Sequence, residues 1–115
     1  MQADWGIETY VDSLGRSPVA DFIRELQSRE RAHVLRTLDL LEEFGILLPF
    51  PHTAHIEGDL WELRAGAIRI FYFAHTGRRL ILLHAYYKQS RKTPRPEIDM
   101  AQKRLADFRE SERTK

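Results

Sequence analysis

The chain contains no cysteine, which excludes disulfides, thiol nucleophiles and zinc–thiolate sites together. It has no long apolar run, so no segment reads as a membrane span. Its first residues, MQADWGIETYVD, show no basic-then-apolar leader pattern, and a cytoplasmic protein is expected. A glycine-rich phosphate loop and a nucleophile-elbow serine are also missing. Five histidines invite a metal reading. His52 and His55 are three apart, and His75 and His84 fall on or beside strands, but no acidic residue joins them in a ligand motif. No metal and no other cofactor is expected.

The first half is also short of positive charge. Residues 1–58 carry five arginines, no lysine and ten acids, a net of −5, whereas residues 59–95 carry eight cations against Asp59 and Glu62, a net of +6. The last twenty residues balance at five of each sign. Either the two blocks pair with each other in the fold, or the basic one faces a polyanion. Charge alone leaves both open.

What remains is enough for one domain. A length of 115 residues with 43% hydrophobic and 10% aromatic side chains supports a single core over residues 1–115. Ile7, Tyr10 and Val11 mark a first strand. Ser17-Pro18 starts a helix with a capping hydroxyl, a preformed proline and Asp21 at the positive end of the dipole. That helix is expected to run to about Ser28. A second, over about Arg29 to Phe44, carries Val34, Leu38 and Leu41 on one stripe and stops at Gly45. The two form a hairpin suited to covering one face of a sheet. Leu47 to Pro51 reads as a loop because of its two prolines.

The sheet is expected from Leu60–Arg64, Ile68–Ala74 and Arg79–Tyr87, with turns at Gly66 and at Thr76-Gly77. The last of these is apolar enough for a central strand buried on both faces. A loop of about four residues around Gly66 sets Arg64 opposite Arg69. Two like charges there imply an anion between them. Thr93-Pro94 opens a closing helix with Ile98, Ala101, Leu105 and Phe108 on its apolar stripe, and the tail after Arg109 is expected to fray.

If the three strands pair in sequence order, Arg64, Arg69, Lys88, Arg91 and Lys92 converge, with Tyr72, Tyr86 and Tyr87 nearby. Guanidinium and ammonium groups bind phosphates and aromatic rings stack on unpaired bases, so the set suits single-stranded RNA. Cleavage would need a 2′-hydroxyl held in line and cations for the charge that builds at phosphorus. A lysine or tyrosine with a pKa lowered by neighbouring cations could move the proton. Glu62 could serve as a general base, although an Arg-paired carboxylate fits its place better.

The segments LWELR, RIFYF and LLHAYYKQSRKTPRPEIDMAQKR, with Gly15-Arg16-Ser17-Pro18-Val19 ahead of the first helix, resemble the HigB-type toxins of the RelE/ParE superfamily, in particular their phage-derived branch. The resemblance implies an α+β fold of RelE type, with a twisted, mainly antiparallel sheet, helices on one side and a groove on the other. It also implies a metal-independent endoribonuclease that cuts mRNA in the ribosomal A site and is silenced by a helix-turn-helix antitoxin, with DNA engaged only through that complex. By position, Arg64, Arg69 and Lys88 are the implied catalytic residues. Lys92, Arg91, Tyr86 and Tyr87 are the implied RNA contacts. Gln89 stands where a second basic residue is common, and Ala85 replaces a usual glycine. Relatives in the ParE branch inhibit DNA gyrase without cutting RNA, and a degenerate member would only bind antitoxin or nucleic acid.

Overall fold

The computed structural model describes residues 4–115; residues 1–3, at the head of the stretch read for a leader pattern, lie outside it. Five strands form one sheet: β1 (Gly6–Thr9), β2 (Thr53–Glu57), β3 (Leu60–Ala65), β4 (Ile68–His75) and β5 (Arg79–Tyr87). Their spatial order is β1-β5-β4-β3-β2. β1 lies parallel to β5, and every other pairing is antiparallel. The helices are α1 (Pro18–Arg24), α2 (Ser28–Phe44) and α3 (Arg95–Arg113). Among the described residues, no helix is long and apolar enough to cross a membrane.

The Ser17 hydroxyl accepts from the Ala20 amide and Pro18 opens α1 as expected. The helix ends at Arg24, short of Ser28, because Arg31 of α2 reaches back. Its guanidinium donates to the carbonyls of Ile23, Arg24 and Leu26 at 3.3, 3.1 and 2.5 Å. One side chain thus satisfies carbonyls that a further helical turn would have used. Gly45 closes α2 with a positive φ of 55°. Any side chain there would also collide with Trp5, whose indole would lie 2.1 Å from an added Cβ.

The three strands read from sequence are present, and Arg64 pairs with Arg69 across the Gly66 turn. β2 is not among the strands expected from the sequence. Its residues Thr53 to Glu57 carry little strand preference and pair only on one side, with a register shift between His55 and Glu57. The ladder to β3, and not local propensity, makes them a strand.

Helices cover both faces of the sheet, which corrects the expectation of one covered side. The α1–α2 hairpin packs on Leu63, Ala65, Ile68, Ile70, Tyr72, Leu80 and Leu82. On the opposite face Ile98, Ala101 and Leu105 of α3 pack on Leu60, Phe71, Phe73, Ile81 and Leu83. Central strands apolar on both sides need two covers, and α3 is the second. Its tail is helical to Arg113 instead of fraying after Arg109. Arg79 explains this, because its guanidinium meets Glu8 of β1 at 2.5 and 2.9 Å and Glu112 of α3 at 3.0 Å.

Candidate active site

Strand register builds the site. Arg64 of β3 faces Arg69 of β4, which faces Tyr86 of β5, so the three stand in a row across the sheet. Alternation puts this row on the α3 face; Tyr86 lies in the core that α3 covers, and exposure rises along the row to Arg69 and then Arg64. Glu62 precedes Arg64 by two and shares its face. The carboxylate is buried, with 1% of the residue exposed. Its Oε2 accepts from Arg64 Nε at 3.0 Å, and Arg69 Nε lies 3.8 Å from the same oxygen. The anion implied between the two arginines is therefore the protein's own. Glu62 is placed as their shared counter-ion and is shut off from solvent.

Three buried polar atoms lack a hydrogen-bond partner among the described residues, and all belong to this cluster: Glu62 Oε1, Arg69 Nε and Tyr86 hydroxyl. Each such atom costs on the order of 1–3 kcal/mol when left unpaired. Concentrated in one spot, that cost marks a strained polar cluster buried behind the exposed part of the row. The Tyr86 phenol is pushed up to about 12, first by burial and then by the charge of Glu62; Thr93 and Arg69 act the other way. This corrects the expectation that cations would lower a tyrosine here. Burial outweighs Arg69, so Tyr86 is a neutral donor near pH 7 and not a base.

Arg69 Nη1 also donates to the carbonyls of Gly66 and Ile68 at 2.6 and 3.2 Å, which ties the guanidinium to the turn. The Arg64 guanidinium lies over the ring of Phe50, 5.4 Å from its centroid. Beside the row, His84 of β5 bonds Glu97 at 2.5 Å through Nε2 and accepts from Arg104 at 3.1 Å through Nδ1. This fixes the neutral tautomer and docks the start of α3 on the sheet.

Burial, seconded by Arg104 and opposed by Glu97, holds the His84 pKa below the ordinary 6.5. Because the unfolded chain takes up the proton first, the stability His84 contributes is complete above about pH 6.5 and lost as pH falls below it. Thermal melts between about pH 7.5 and 5 should therefore show a steeper loss for the wild type than for His84→Gln. Parallel curves would remove His84 as the cause.

A family model described as phage-derived protein Gp49-like matches residues 21–106. The chain belongs to the Gp49-like family. The match runs from α1 into α3 and so takes in every residue of the site. A comparison with curated proteins returned no match. Among solved structures, the archaeal RelE–RelB complex from Pyrococcus horikoshii OT3 has a chain that is similar at a TM-score of 0.57 and 18% identity, over 76% of this chain and 98% of that one. The Gp49-like chain thus shares the α+β fold found in that complex.

Of the residues singled out from sequence, the Gp49-like fold brings Arg64, Arg69 and Tyr86 together. Lys88 follows β5 at the same end of the sheet, its amide bonded to the Ala67 carbonyl at 2.8 Å and its Nζ to the Arg91 carbonyl at 2.9 Å. Arg91 and Lys92 are exposed in the loop that leads to α3. Tyr87 is not with them. It lies on the hairpin side of the sheet, against Phe22 with ring centroids 5.4 Å apart, and its hydroxyl donates to Glu30. Tyr72 is buried in the core on that side too. Strand alternation forbids Tyr86 and Tyr87 from sharing a face, a signal that the sequence already held. The two charge blocks pair in part, Arg79 and Arg95 with Glu8 and Glu57, while Arg91 and Lys92 stay exposed.

Proposed function

We propose that this Gp49-like chain is the HigB-type toxin of a toxin–antitoxin pair, a cytoplasmic endoribonuclease that cuts mRNA in the ribosomal A site. The observation that carries this reading is the pair of facing guanidiniums, Arg64 and Arg69, next to a loop bearing Lys88, Arg91 and Lys92. The sequence resemblance and the shared fold support it. The partners that follow are the ribosome and a helix-turn-helix antitoxin, with DNA reached only through the antitoxin complex.

In this mechanism the two guanidiniums hold the scissile phosphate and take up the charge that grows on its oxygens. The 2′-oxygen attacks phosphorus, the bond to the 5′-oxygen breaks, and the products are a 2′,3′-cyclic phosphate and a 5′-hydroxyl. The proton lost by the 2′-hydroxyl is balanced by the one gained at the 5′-oxygen. Tyr86, buried and protonated, packs behind Arg69 and stays out of contact with substrate, and Lys88 adds positive charge. Glu62 positions the arginines and stays out of contact with substrate. Arg91, Lys92 and the backbone of their loop meet the RNA strand.

The test is cell-free translation followed by primer extension on the mRNA, with and without ribosomes. Cuts that require ribosomes are the expected result. Intact mRNA together with loss of gyrase supercoiling would replace this reading with that of a ParE-like gyrase inhibitor. Intact mRNA with normal supercoiling would leave a module that only binds.

A further inference from the structure

We propose that Phe50 is a stacking platform for one nucleobase, adjacent to the phosphate held by Arg64; this subsite rests on the reading of the chain as an mRNA nuclease. Phe50 is 73% exposed and belongs to neither core. A large ring in water is ordinarily tolerated singly. What sets this one apart is its place and its anchoring.

The place is set by Arg64, whose guanidinium lies over the ring 5.4 Å from the centroid. The cation therefore lines one side of the ring, and the high exposure leaves the rest open. A base on the open part and its own phosphate on the Arg64 guanidinium are separated by no more than the span of a single nucleotide. The cation also draws on the π-system it covers, and an arginine beside an aromatic ring is a combination that single strands use.

The anchoring comes from the loop on both sides. Leu48 and Thr53 are buried, and the Thr53 hydroxyl donates to the Leu48 carbonyl at 2.7 Å. The His52 amide bonds the Pro49 carbonyl at 3.0 Å, and the Arg64 amide bonds the His52 carbonyl at 2.8 Å. Pro49 and Pro51 flank the ring and restrict the backbone further. The ring is thus carried by a segment hydrogen-bonded to the very residue that holds the phosphate. A base stacked there costs little ordering of the protein.

The experiment uses ribosomes programmed with a short mRNA that is intact or abasic at one A-site position at a time. It compares the wild type with Phe50→Ala, Phe50→Leu and Phe50→Tyr. The wild type should cut the intact message faster than the message abasic at one position, by roughly 5- to 150-fold, the worth of one base–aromatic stack. Phe50→Ala should cut the intact message more slowly by a similar factor and show no further loss at that abasic position. Phe50→Leu should behave like alanine, because it keeps apolar bulk without a ring, and Phe50→Tyr should stay close to wild type. Wild-type rates in Phe50→Ala, or equal sensitivity of both proteins to the abasic position, would overturn the subsite while leaving the nuclease intact. The same holds if Phe50→Ala cuts normally but loses its grip on an antitoxin, which would assign the ring to a protein partner. No cutting by the wild type on either message would fail the nuclease reading and this one with it.

Discussion

Arg69→Ala is expected to cut ribosome-bound mRNA about 10²–10³-fold more slowly than the wild type, the range for removing one preorganised donor from developing charge. Arg69 is the middle of the row, opposite Arg64 on one side and Tyr86 on the other. Its guanidinium is held in place before substrate arrives, by the Gly66 and Ile68 carbonyls and by Glu62. Such a group needs no reorganisation during reaction, so its loss should fall mainly on kcat and less on KM. Arg69→Lys keeps the charge but loses the planar fork and should recover only part of the rate. Because the carbonyl contacts also brace a turn, urea unfolding of each variant should accompany the kinetics. A folded Arg69→Ala protein that cleaves at the wild-type rate would take the phosphate away from this row.

The parts of this fold that could be read from sequence are those decided locally. β3, β4 and β5 announce themselves by β-branched and aromatic residues between glycine turns, and α1 by Ser17-Pro18. The opposition of Arg64 and Arg69 followed from the length of the Gly66 loop alone. What escaped depends on contacts between distant segments. Thr53–Glu57 is a strand because β3 offers it a ladder. The last turn of α3 holds because Arg79 waits for Glu112 across the fold. Phe50 was silent, since nothing in a proline-rich loop tells which strand residue it will lie against. The role of Glu62 was half visible: its spacing to Arg64 put both on one face, but its burial, and its service to a second arginine from β4, came only with the assembled sheet. Tyr87 was misplaced for a simpler reason, a cluster drawn from proximity in sequence where strand alternation should have divided it.

Glu62→Ala is expected to lower stability by about 3 kcal/mol, the low end of what loss of one partner from a buried pair costs, because Arg64 keeps 33% of its side chain in water. That is a large share of a folding free energy of roughly 5–15 kcal/mol. The cause is specific. Without the carboxylate, Arg64 and Arg69 face each other across β3 and β4 with nothing to offset their charges. A second substitution separates this cause from simple loss of packing. If like-charge repulsion is what Glu62 relieves, Arg69→Ala should hurt less in the Glu62→Ala background than in the wild type, with a coupling of about 0.5–3 kcal/mol by urea unfolding. Additive losses would show that Glu62 acts only by filling space. The same cycle bears on chemistry. Glu62→Gln keeps the shape and raises the charge of the row by one, so single-stranded RNA should bind more tightly to it while salt sensitivity grows. Tighter binding with slower cutting would mark Glu62 as the group that trades affinity for alignment of its two arginines, whereas weaker binding would require it to touch the RNA.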